Sequence, residues 1–223
     1  MSNANSLSPP AERGAGYKLR GRYRSDFATA ATTIVAARTT TAGFLASFRW
    51  DPSAANLLLA SQAYIRYVGA RFVLTTAYTT AQETGCDLIV GRAATVACTG
   101  GSALDLGATL TGSGKRRTAQ SSSLAEGRVG TTGALTAGTQ ELDSRPMGVL
   151  TAWSGAGGDT VPLAAQGGNG GYGTLWDSRS SGDHLVLAGD ETIIIRNLVL
   201  MGAVGVGNWY FALEWDEGLP DGT

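Results

Sequence analysis

Hydrophobic and polar positions alternate most strictly near the end of the chain. Trp209, Phe211, Leu213 and Trp215 fall on one face of an extended segment, and Tyr210, Ala212, Glu214 and Asp216 on the other. A period of two held over this length predicts a half-buried antiparallel strand. The preceding run, residues 192–200, is β-branched and almost wholly apolar, as expected of a strand covered on both faces. Gly202, Gly205 and Gly207 lie between the two runs, which therefore read as a terminal hairpin at the heart of a sandwich.

Earlier segments carry the same signal more weakly. Residues 32–37 (TTIVAA) and 43–51 are strand-like, with Phe44, Ala46, Phe48 and Trp50 alternating against Leu45, Ser47 and Arg49. A brief apolar helix or turn is expected near 54–60. Two strands follow at 64–68 and 71–78, separated by Gly69-Ala70. Residues 87–97 read as a strand or equally as a short helix. Between 99 and 145 glycine, serine and threonine dominate, which fits either a mobile insertion or short strands ordered by their neighbours. The apolar beats at Leu104, Leu106, Leu124 and Leu135 favour short strands. Strand character returns at 148–153, 159–165 and 183–189, with a flexible glycine-rich stretch at 167–174. About eight strands with turn signals between them, and no long helix, predict an all-β fold: an antiparallel two-sheet β-sandwich of jelly-roll type.

The N-terminus stands apart. Residues 1–9 are polar and broken by proline, and the following ERGAGYKLRGRYR is basic. Lys18, Arg20, Arg22 and Arg24 sit two apart, with Tyr17, Leu19 and Tyr23 interleaved, so an extended chain would carry cations on one side and adhesive side chains on the other. Two readings are open: an arm that clamps a partner through Tyr17, Lys18, Leu19, Arg20, Arg22, Tyr23 and Arg24, or an edge strand protected by its charges. On the first reading the chain divides into an extended arm, 1–24, and a single sandwich domain, 25–223, with the glycine-, serine- and threonine-rich insertion at 99–145.

Composition narrows the function classes. Only 16% of the 223 residues are charged and the net charge is −1, so neither nucleic acid nor an anionic membrane is implied as a partner. A surface of small neutral residues suits a protein that hides much of its exterior in an assembly. No basic-then-apolar leader is read in MSNANSLSPPAERG, and no apolar run approaches the roughly 18 residues of a membrane-spanning helix. Cys86 and Cys98, the 2 cysteines, lie in apolar surroundings and read as buried free thiols in preference to a disulfide.

Candidate chemistry is sparse. His184 is the 1 histidine, so no metal site is built on histidine. Asp183 and His184 are adjacent, which in a strand places them on opposite faces, and no G-x-S-x-G elbow supplies a nucleophile. Glu214, Asp216 and Glu217, with Asp190 and Glu191, form the densest acidic group. Paired carboxylates serve glycoside hydrolysis or calcium binding, but at a strand end they read as a solvent-facing polar side. Lys115, Arg116 and Arg117 follow glycines without the spacing of a phosphate loop and read as a charged loop tip. The aromatics Trp153, Tyr172 and Trp176 lie in glycine-rich stretches. Gathered on one concave surface, they would favour a carbohydrate-binding module. No catalytic, cofactor-binding or metal-binding residue is expected.

One family likeness is present. QETGCDLIVGR, TGGSALDLG, KRRT, GALTAGTQELDSRPMG, GGDTVPL, GDETIIIRN and LMGAVGVGNWYFALEWDE, in that order, resemble the sequences of small structural proteins of tailed-bacteriophage virions, several of which are β-sandwich capsid cement proteins. The resemblance covers most of the chain after about residue 30 and carries no active-site motif. It implies a non-enzymatic decoration protein on the capsid surface, made in the host cytoplasm, forming a homotrimer and contacting the major capsid protein. A tail, neck or fibre component is the alternative within the same virion.

Overall fold

The computed structural model describes residues 17–31, 43–51, 61–94, 98–106, 113–115, 122–130, 135–136, 138–154, 172–179, 183–202 and 204–220. The expected elements at 32–37, 54–60 and 159–165 lie outside them. The strands are β1 (Tyr17–Ala28), β2 (Phe44–Trp50), β3 (Gln62–Thr76), β4 (Gln82–Arg92), β5 (Ser102–Ala103), β6 (Ser113–Lys115), β7 (Ala125–Val129), β8 (Glu141–Leu142), β9 (Gly148–Ser154), β10 (Gly173–Asp177), β11 (Leu185–Leu187), β12 (Thr192–Asn197) and β13 (Val206–Pro220). They form two antiparallel sheets packed face to face, so the chain is an all-β sandwich. One sheet runs β10-β3-β13-β1-β6, with β11 also beside β3; the other runs β5-β7-β2-β12-β4-β8, with β9 also beside β4.

The inner faces meet in an aromatic core. Trp50, Trp209, Trp215, Tyr23 and Phe211 have no accessible surface. Tyr23 stacks on Trp215 with centroids 5.4 Å apart, and Phe48 meets the same indole edge-on at 5.1 Å. A residual gap of about 10 Å³ beside Phe48, Ile195 and Phe211 is no larger than the space for one water molecule and is too small for an organic ligand. At one edge the sheets touch through glycines: a Cβ on Gly148 would overlap the Leu175 carbonyl, and one on Gly173 would strike the Leu150 side chain.

A second apolar cluster lies on the far side of the second sheet, where Phe44, Ile89 and Ile194 pack under Cys98 and Leu135. Every residue of β12 is buried, as its largely apolar run predicts. The second sheet also separates the cysteines. Cys86 belongs to the inter-sheet core and Cys98 to the outer cluster, and both are free thiols. Burial pushes the Cys86 thiol well above its ordinary value.

Three expectations are corrected and one open choice is resolved. First, β12 and β13 do not form a hairpin. β12 pairs with β2 and β4, and β13 with β3 and β1, so residues 198–205 carry the chain from one sheet to the other. Second, Gly69-Ala70 does not separate two strands: β3 runs through it, with Gly69 opposite Ala212 and Ala70 opposite Phe211. Third, of the strand and the short helix left open at 87–97, residues 87–92 follow the strand reading as part of β4. Fourth, Tyr17–Arg24 is not a free arm, and the boundary at residue 24 falls inside β1, which pairs with β13 from Tyr17↔Pro220 to Ala28↔Tyr210. In the stretch at 99–145, β5, β6, β7 and β8 follow the short-strand reading.

The physical reason for the last correction is that β1 supplies core. Tyr23 is a fully buried partner of Trp215, and Arg22 is needed by a buried carboxylate described below. A register shift between Leu19 and Gly21 interrupts the expected alternation of cations and adhesive residues. Deleting residues 1–24 is therefore expected to leave insoluble or molten protein, because it bares one edge of β13 and empties the Tyr23 position. The check is near-ultraviolet circular dichroism and soluble yield; a truncated protein with the parent melting temperature contradicts the assignment.

Candidate functional site

The outward face of the first sheet brings together Arg24 and Glu214, two of the polar groups that sequence reasoning singled out. Cross-strand pairing builds it in rows. One row is Asp26, Ala212, Gly69 and Thr174; the next is Arg24, Glu214, Tyr67 and Asp177. The small residues Ala212 and Gly69 leave the centre low. A side chain at Gly69 would overlap the Tyr67 hydroxyl, so the glycine permits the Tyr67 ring to lie across the sheet. The result is a depression of about 420 Å³ lined by Arg24, Asp26, Tyr67, Tyr172, Arg179 and Glu214, with Ala212 as floor.

Each charged side chain in it is held by another. Arg24 donates from Nε and Nη2 to Asp26 at 2.8 and 3.1 Å, and from Nη1 to Glu214 at 3.3 Å. Arg179 donates to both oxygens of Asp177 at 3.0 and 2.6 Å, and its guanidinium lies 4.0 Å from the Tyr67 ring centroid. That fork of hydrogen bonds pulls the Asp177 carboxyl below the usual carboxylate range. Because the folded value is depressed, the contribution to stability is present above the unfolded value and fades as pH falls through the folded one. Arg71 is sandwiched between Tyr172 and Tyr210, with centroid distances of 5.5 and 4.9 Å, and so fixes the Tyr172 ring at the rim.

The acidic group at the end of β13 is not solvent-facing, which corrects the sequence reading. Asp216 and Glu217 have no accessible surface and Glu214 is 8% exposed. Asp216 lies between two arginines, accepting from Arg22 Nε at 2.9 Å and from Arg66 Nη1 at 2.9 Å. Glu217 sits on the inner face, where one oxygen accepts from Ser123 Oγ at 2.5 Å, the Leu124 N–H at 3.2 Å and Trp215 Nε1 at 3.2 Å. Asp190 is apart from them, at the rim of the second sheet, where Arg49 binds Asp51, Glu126 and Asp190 together. Arg196 and Asp87 form a further buried bidentate pair, at 2.9 and 2.7 Å. These carboxylates neutralise arginines and satisfy buried donors, and the sheet faces can be charged and buried because of it.

The remaining candidates disperse. Ser178 Oγ lies 3.0 Å from His184 Nδ1 and within 3.3 Å of the Ile65 and Arg66 carbonyls. Ser178 is 1% exposed, so this pair ties Ser178 and His184 to β3 out of reach of a substrate. Trp176 packs against the core and donates its N–H to the Ile65 carbonyl at 3.2 Å, so it does not join Tyr172 on a concave surface. The side chains of Trp153, Tyr17, Lys18, Leu19 and Arg20, and all of Arg116 and Arg117, lie outside the described residues. No group of three or more histidine, cysteine, aspartate or glutamate residues is placed to hold a metal ion among the described residues.

Sequence reasoning missed Tyr67, Arg71, Arg179 and Tyr210. They come from three separate segments, and no spacing within any one of them marks a site. The nearest local signal is the small pair Gly69 and Ala212 in otherwise bulky strands, a pattern that marks close approach or a hollow. Compared with protein-family models, curated proteins and solved structures, the chain matches none.

Proposed function

We propose that this chain is a non-enzymatic structural protein of a tailed-bacteriophage virion: an outer capsid cement protein, assembled as a homotrimer, that stabilises the head by bridging shell subunits. The non-catalytic part of this reading is carried by one observation. Asp216 and Glu217, from the densest acidic group in the sequence, are wholly buried and hold Arg22, Arg66, Ser123, Leu124 and Trp215 in place. A group so committed serves the rigidity of the sandwich. The virion part rests on the likeness of the segments between 82 and 217 to phage structural proteins. Low overall charge supports it as well, because extensive lateral contact between neutral surfaces needs little desolvation of ions.

Cementing would act by mass action: a protein that binds the assembled shell and not its dissociated subunits shifts the equilibrium toward the shell. The major capsid protein is the partner in this reading. Of the residues of β1 proposed as a contact, Arg22 and Tyr23 are committed to the fold, and Arg24 keeps a side chain 45% exposed. The test is antibody labelling of virions by electron microscopy, combined with the thermal stability of heads with and without the protein. Label on the head surface, and heads that open at lower temperature until the protein is added back, is the expected result. Label confined to the tail would establish the tail, neck or fibre alternative instead.

A further inference from the structure

We propose that the depression on the outward face of the first sheet is a binding site for a neutral hexose unit of an oligosaccharide. This goes beyond the cement role and does not depend on it. The volume of about 420 Å³ lies within the roughly 300–1,000 Å³ of small-molecule sites. The lining decides the ligand class. Arg24 and Arg179 offer N–H donors, Asp26 and Glu214 offer carboxylate acceptors, and Tyr172 offers a half-buried ring at the rim. Donors and acceptors thus stand side by side around one small floor.

A hydroxyl group both donates and accepts, so a ligand dense in hydroxyls can satisfy such a lining from any direction. An anion is disfavoured, because the two lining arginines are each engaged by carboxylates and the lining carries as many acids as cations. An apolar ligand is disfavoured too, since it would strip water from four charged groups without replacing their bonds. A pyranose ring has an apolar C–H face and a polar rim, matching the Tyr172 ring and the charged wall respectively.

Preorganisation strengthens the assignment. Arg24 is fixed by Asp26 and Glu214, Arg179 by Asp177 and the Tyr67 ring, and Tyr172 by Arg71. Little side-chain freedom remains to be lost when a ligand arrives. The floor is also specific: Ala212 and Gly69 are the two small residues that face each other across β13 and β3 at this level, and a larger residue at either would fill the hollow.

Saturation-transfer difference NMR on the full chain tests this with maltose, cellobiose, lactose and N,N′-diacetylchitobiose as probes, and with sulfate and glucuronate as anionic comparisons. At least one neutral disaccharide should receive saturation and shift the side-chain N–H signals of Arg24 and Arg179. Tyr172→Ala and Arg24→Gln should each weaken that probe about tenfold, equivalent to about 1.4 kcal/mol, at an unchanged melting temperature. If one of these variants melts early, Arg179→Gln supplies the same comparison from outside β1 and β13. The assignment is overturned if no neutral disaccharide receives saturation, if transfer persists undiminished in the variants, or if only sulfate or glucuronate moves the two arginine signals.

Discussion

Trp215→Ala is expected to lose about 3–5 kcal/mol of stability, the range for truncating a large buried aromatic. Trp215 has no accessible surface, stacks on Tyr23, receives the edge of Phe48 and donates its indole N–H to the buried Glu217. The substitution therefore opens a cavity between the sheets and removes the indole donor from an enclosed carboxylate. Against a total stability of about 5–15 kcal/mol for a typical domain, the protein should be molten or insoluble at ambient temperature. Denaturant midpoint and near-ultraviolet circular dichroism measure this. Leu200→Ala, at a residue 52% exposed, is the control and should leave the midpoint unchanged. A soluble Trp215→Ala protein with a parent-like midpoint would place this strand outside the core.

Asp216→Ala should be comparably damaging, at about 3–5 kcal/mol, for an electrostatic reason. Removing the central carboxylate leaves Arg22 and Arg66, 28% and 10% exposed at their side chains, without the acid that both share. Removing one member of a buried ion group is costly because the remaining charges stay desolvated and lose their shared counter-charge. Replacing the whole group with apolar residues of similar volume, as in Arg22→Met, Asp216→Leu and Arg66→Met combined, should recover much of the loss. If the triple variant is as unstable as Asp216→Ala, shape and not charge pairing governs the site. Trp215 and Asp216 are neighbours on β13, so a double substitution is not expected to be additive.

Much of the secondary structure is legible in the local pattern. The alternation of Trp209, Phe211, Leu213 and Trp215 marks the core face of β13, and the run around Ile193, Ile194 and Ile195 marks a strand covered on both sides. An alternating apolar pattern reports that one face is buried, and a continuous apolar run reports that both faces are covered. The free thiols follow for a similar reason: Cys86 and Cys98 sit in apolar surroundings on opposite sides of the second sheet. For these features each strand needs only its own residues.

Pairing and charge placement were settled at a distance. Any two strands with apolar faces can pair, so the glycines between β12 and β13 suggested a hairpin, while in the fold each strand pairs with others and the link crosses between sheets. Arg22 and Asp216 are separated by 194 residues. Seen locally, one belongs to a cationic stretch and the other to an acidic strand end, and both look solvated. Brought side by side, each cancels the desolvation cost of the other, and a segment that resembles an arm becomes an interior strand. The depression arises in the same way: Arg24, Gly69, Tyr172, Arg179 and Ala212 acquire a common purpose only where β1, β13, β3 and β10 lie in one sheet. Local pattern decides which apolar face of a strand lines the core, because that depends on the strand's own residues, whereas partners, buried ion pairs and hollows depend on which strands the whole chain can bring together.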